Sequence, residues 1–79
     1  MRTRAMERLK WKSRRGLLEL DIVFERFWAR GGDEMNESDA ATLERLLALP
    51  DNDLLDLVMG RADTSETRLQ PMLRRLRTV

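Results

Sequence analysis

Arg15, Glu19, Ile22 and Arg26 recur at intervals of three and four along the chain. On a helix turning 100° per residue they fall within about 60° of one another, with Leu18 at the edge of the group. Arg15 and Glu19, four residues apart, can pair along such a helix, or each can leave the other for a partner. Gly16 stands between a basic run and a strongly helical segment; its missing side chain costs helix stability yet lets another backbone come close. Charge around apolar Leu18 and Ile22 is how the centre of an interface is composed, although a solvated face with one surface salt bridge is the plainer alternative. The chemistry on offer is recognition of a partner. Asp21 falls on the opposite flank, near Trp28, where a half-buried acid would hydrogen-bond to a first helix (helix 1, near residues 3–13) through Lys10, Lys12 or Arg14. Trp11 fits either the core or an exposed anchor, because the phase of helix 1 leaves both open.

Other chemistries are excluded by composition. The 79 residues contain no Cys and no His, which removes disulfides, thiolate or imidazole zinc sites, Cys-His and Ser-His nucleophile pairs, and the side chain most used for proton transfer near neutral pH. A chain this short buries only about 63% of its extended surface. It has no room for an internal cavity of cofactor size, which argues against a free-standing enzyme with a deep pocket. Nothing in it reads as a signal peptide or a membrane span, so a soluble, cytoplasmic protein is expected. The net charge of +1 conceals an asymmetry: residues 1–15 sum to +6, 16–66 to −9 and 67–79 to +4. Pairing of the basic ends with the acidic middle inside the fold accounts for most of this; a bipolar docking surface is the alternative.

The elements that must position these residues are helices. Apolar residues follow helical rather than alternating spacing and β-branched residues are sparse, which predicts an all-α, compact five-helix bundle in a single small domain over 1–79. Helices are expected near 3–13, 16–30, 37–49, 52–59 and 65–77. In the second, Leu17, Leu20, Val23, Phe24, Phe27 and Trp28 form the core stripe, and Gly31-Gly32 ends it. Asn36 caps the third, whose buried side is Ala40, Leu43, Leu46 and Leu47. Pro50 stops it and Asp51 is expected to cap the fourth, with Leu54, Leu55, Val58 and Met59 inward and Gly60 closing it. The fifth carries Leu69, Met72, Leu73 and Leu76. Pro71 requires that helix either to start near Gln70 or to bend.

Trp11, Arg14-Arg15-Gly16, Glu19 and Asp21 read W-x-x-R-R-G-x-x-E-x-D, and are followed by Phe27 and by Asp51-Asn52-Asp53-Leu54. In a chain of this length the pattern resembles the FAD assembly factors of succinate dehydrogenase, bacterial proteins whose mitochondrial relatives are called succinate dehydrogenase assembly factor 2. The resemblance covers nearly the whole chain, with Pro71 and a short tail departing from the pattern. It implies a five-helix protein that binds the flavoprotein subunit of succinate dehydrogenase or fumarate reductase and promotes covalent attachment of FAD to a histidine there. Arg15, Gly16 and Glu19 match the family signature and Asp21 its extension. Trp11, Arg14, Leu18, Ile22 and Arg26 complete the expected partner-binding set.

Covalent flavins are usually held by His, Cys or Tyr, and the chain contains none of them. It cannot be the flavin acceptor. With no Gly-rich phosphate loop after a strand, stable FAD binding by the chain alone is not expected. A helper acting on the FAD of its partner, without catalytic residues or metal, is the reading that results. Two alternatives come from other classes. One is a regulatory protein-binding module such as an antitoxin. The other is nucleic-acid binding through the basic N-terminal helix, which Asp51, Asp53 and Asp56 on the candidate recognition helix oppose.

Overall fold

The computed structural model describes residues 4–79. They form five α-helices: α1 (Arg4–Lys12), α2 (Leu18–Ala29), α3 (Glu37–Leu47), α4 (Asp51–Val58) and α5 (Gln70–Arg77), with 3-10 turns at Gly32–Glu34 and Thr67–Leu69. No strand occurs among the described residues. The expected start of the first helix at Thr3 lies outside them. α1 packs against α3, and α5 lies against α2, α3 and α4, in an envelope of 32 × 27 × 21 Å.

The apolar stripe of α2 supplies the centre of the core. Leu20, Phe24 and Phe27 are buried, while Leu17, Val23 and Trp28 are half-buried around them. Ala40, Leu43, Leu46 and Leu47 of α3 and Met72, Leu73 and Leu76 of α5 complete it, with Met6 and Leu9 of α1. Asn36 caps α3 as its residue type requires: its Oδ1 accepts the Asp39 backbone N–H at 2.8 Å. α5 starts at Gln70, so Pro71 falls in its first turn, where the missing N–H has no intrahelical partner to lose.

Several expectations about α4 need correction. Its buried stripe is Leu54, Leu57 and Val58; Leu55 is half-buried and Met59 is 45% exposed. With four apolar residues among the eight of α4 and Met59 just beyond it, two stripes a fraction of a turn apart satisfy the same periodicity, and packing against α5 selects one. The residue before α4 is Pro50, with no side-chain cap, and Asp51 is the first helical residue. Its carboxylate is engaged elsewhere.

The close of α2 is set by two glycines. Gly31 adopts φ +88°, a left-handed conformation that side chains resist. A Cβ at Gly32 would lie 2.5 Å from Cε2 of Phe27 and 2.8 Å from its carbonyl oxygen. Before α2, the buried Ser13 accepts the Trp28 Nε1–H at 3.0 Å and donates to the Lys10 carbonyl at 2.7 Å. This ties the end of α1 to the core helix. In the loop before α5, Asp63 accepts from Gln70 Nε2 and from the Thr64 N–H. The Gln70 bond first, then the Thr64 bond, hold its carboxyl below the ordinary 3.8. That contribution is complete above the ordinary carboxylate pKa and disappears as the pH falls through the lowered value.

Phe24, 2% exposed at the centre of this core, is the most demanding position. Phe24→Ala is expected to cost about 3–5 kcal/mol, enough to abolish the cooperative thermal transition of a chain this size. A melting midpoint equal to that of the parent would show the core face to be misassigned.

Candidate functional site

The segment between α1 and α2 does not continue the second helix. Gly16 has φ +77° and Leu17 is extended, so α2 begins at Leu18. This breaks the phase that placed Arg15 beside Glu19. The Arg15 side chain turns inward and is 14% exposed. Its Nε donates to Asp51 Oδ1 at 2.7 Å, Nη1 to the Leu47 carbonyl at 2.6 Å and Nη2 to the Leu49 carbonyl at 2.6 Å. Nη1 also reaches the Lys12 carbonyl at 3.4 Å. The guanidinium therefore plugs the corner where α3 ends and α4 begins, serving carbonyls that helix termini otherwise leave open. The expected Arg15–Glu19 ion pair is absent, and the picture of Arg15 on the outer face of the second helix is replaced.

Asp21 also differs from expectation. It is half-buried, but its Oδ1 accepts the backbone N–H of Arg15 at 2.9 Å rather than a lysine or arginine of α1. An acid in the first turn of α2 thus reaches back to the turn that precedes it, much as the glutamate of a capping box does.

Four of the remaining candidates share one helix face. On α2, Leu18, Glu19, Ile22 and Arg26 are exposed on the side opposite the core stripe. Leu18 is 68% exposed and Ile22 40%, so two large aliphatic side chains stand in solvent on one helix face. No hydrogen bond or ion pair holds Glu19 to the described residues. At the end of α1, Trp11 is 71% exposed, which settles its two readings in favour of the surface, and the Arg14 guanidinium lies 6.0 Å from its ring centroid. Gly16 is exposed in the turn, and a Cβ built there would meet no atom within 4 Å. The surface offers apolar area, an uncommitted carboxylate, cations, and a stretch of bare backbone.

Along the flank of α2 runs an open groove of about 460 Å³ lined by Lys10, Ser13, Arg14, Asp21, Phe24, Glu25 and Trp28. Its aromatic side chains lie among the carboxylates of α2 and two cations, Lys10 of α1 and Arg14 of the turn that follows it. Helical spacing sets Asp21 and Trp28 side by side, but nothing in the sequence marks the groove between α1 and α2. No group of three or more metal-ligating side chains gathers among the described residues, and no helix there is long and apolar enough to cross a membrane.

The fold and this surface define a small all-α protein that presents a mixed apolar and charged face on one helix. The chain belongs to the family described as flavinator of succinate dehydrogenase, which matches residues 7–79. It is 50% identical over 56 residues to a protein of Ralstonia nicotianae named FAD assembly factor SdhE, a match covering 71% of this chain and 59% of that protein. It is 40% identical to the protein of the same name in Idiomarina loihiensis, over 85% of this chain and 74% of the relative. For that of Mannheimia succiniciproducens the identity is 42%, over 84% and 77%. No solved structure is significantly similar.

The geometry divides the signature residues by what their loss does to the isolated protein. Arg15→Ala removes charge-assisted hydrogen bonds and strands two carbonyls, an expected loss of about 2–3 kcal/mol visible as a lower melting temperature. An unchanged melting temperature would show that the guanidinium contributes nothing to the corner. Gly16→Ala meets no steric obstacle but must hold a left-handed backbone, at about 1–2 kcal/mol. Gly16→Leu, which a helical Gly16 would have tolerated or welcomed, is strained for the same reason. Gly16→Asn is expected to melt above Gly16→Ala, since Asn visits that conformation more readily; the reverse order would contradict the assigned turn.

Proposed function

We propose that this chain is an assembly factor that binds the flavoprotein subunit of succinate dehydrogenase or fumarate reductase and promotes covalent attachment of FAD to it. Membership of the flavinator family and the names of the curated relatives support this reading over an antitoxin or a nucleic-acid-binding protein. The observation that carries it to a surface is the outer face of α2, where exposed Leu18 and Ile22 flank a Glu19 that has no partner among the described residues, two positions after the bare turn at Gly16–Leu17. Exposed aliphatic and aromatic side chains beside uncommitted charge are how the buried centre and rim of a docking site are built.

The factor works without chemistry of its own and without a stably bound FAD. It contains no His, Cys or Tyr to receive a flavin, so the bond forms on the client. Binding contributes by favouring the client conformation in which histidine and flavin are aligned, which removes an orientational cost from the attachment step. The flavin supplies the reactivity. The site of action is the cytoplasm.

Glu19 is the cleanest test because nothing in the fold depends on it. Glu19→Ala should change stability by no more than about 1 kcal/mol, yet sharply lower the fraction of client carrying covalent flavin. The readout is in-gel flavin fluorescence of denatured client made in cells lacking the wild-type factor. Ile22→Glu, which places a charge among the apolar contacts, should do the same. Full flavinylation with both variants would move the client away from this face.

A further inference from the structure

Neither helix that meets at Arg15 begins with a cap of its own: Leu17 before α2 and Pro50 before α4 make no side-chain cap hydrogen bond. The start of α2 is tied instead by Asp21 to the Arg15 N–H at 2.9 Å. Arg15 is held in turn by Asp51, 36 positions away, at 2.7 Å, and by the Leu47 and Leu49 carbonyls. Leu18 and Glu19 are the first two residues of α2 after the left-handed Gly16. Their placement is inherited from this run of bonds.

We propose that Asp51, acting with Arg15, is a positioning residue for the client-binding face. It holds the α1–α2 turn in the geometry that presents Leu18 and Glu19, and it does so without touching the client. This rests on the reading of the face given above. The corner requires a particular shape rather than a charge. Arg15 meets acceptors from four different residues with a rigid fork, which a single ammonium cannot reproduce. On the other side, what Nε needs from Asp51 is one acceptor oxygen, which an amide also supplies. A client reading charge would rank the variants the other way. It would accept Arg15→Lys and reject Asp51→Asn.

The experiment measures the affinity of factor variants for the FAD-free flavoprotein subunit of succinate dehydrogenase, at a temperature where circular dichroism shows each variant folded. Amide resonances of residues 16–19 are recorded on the same samples. Asp51→Asn should bind within about twofold of the parent, whereas Asp51→Ala and Arg15→Lys should each weaken binding about fivefold or more. Both weakened variants should shift the resonances of residues 16–19. The double variant should bind no more weakly than the weaker single one, because both act on the same turn. Parent-like binding by Arg15→Lys, equal losses for Asp51→Asn and Asp51→Ala, or additive losses would each overturn the proposal. Glu19→Ala in the same assay separates the two readings. If it binds like the parent, or the parent does not bind, the client-face reading falls. The resonances then decide the positioning claim, which is sustained if Asp51→Ala shifts them and overturned if it does not.

Discussion

One arginine connects the ends of four helices in this protein. Arg15 leaves the turn after α1, enters the corner between α3 and α4, and bonds to Leu47, Leu49 and Asp51 while its own N–H is taken by Asp21 of α2. Short helices make such a device necessary. A helix of eight residues, such as α4 or α5, leaves four donors and four acceptors unpaired at its ends, as many groups as its internal bonds use. With so little core to offset open carbonyls, a side chain that meets several acceptors at once is worth more than its ion pair alone. Arg77 repeats the device at the end of α4, donating from Nε to the Leu57 carbonyl at 2.9 Å. Arginine serves both places because its donors are already arranged in a plane.

That arrangement lets α2 divide its labour. Its inner stripe of Leu20, Phe24 and Phe27 carries the core, and the edge of the Phe27 ring is fitted so closely to Gly32 that no Cβ has room there. Trp28 and Asp21 on its flanks are tied to Ser13 and to the Arg15 backbone. Everything that stabilises the helix therefore lies on one side of it. The opposite side, from Leu18 to Arg26, is free of structural duty, and substitutions there can alter partner binding with little effect on folding.

The legible part of this structure was local. Helical periodicity placed the stripes of α2, α3 and α5, Asn36 announced the start of α3, and Gly31-Gly32 the end of α2, because each signal is a property of a few neighbouring residues. The site was legible in composition but not in geometry. Extending the helical phase back through Gly16 put Arg15 next to Glu19, whereas the φ of +77° at Gly16 turns the chain away one residue before α2 begins. A glycine between a basic run and a helix is equally consistent with a helical position and with a left-handed turn, and only the long-range contact decides. The Arg15–Asp51 pair spans 36 positions, and no periodicity within one sequence encodes such a partner. Asp51 carries the same lesson: its residue type suits a helix cap, and the fold uses its carboxylate as an anchor.

Charge patterning decides between the two readings of the basic ends and the acidic middle. Among the described residues, four ion pairs join an end segment to the middle: Lys12–Glu44, Arg15–Asp51, Arg75–Asp39 and Arg77–Asp63. Part of the sequence asymmetry is thus folded against itself: four of the eleven bases in the end segments pair with acids of the middle. Three of these four pairs are substantially exposed at one or both partners and are individually weak. Arg15–Asp51 differs because its cation is largely buried and bonded to carbonyls as well. Among the charges outside these pairs, Glu19 and Arg26 are set on either side of exposed Ile22 along α2 and meet solvent on the side opposite its core stripe. Charges left over after the interior has drawn its pairs are those a partner can engage without first breaking a bond that holds the protein together.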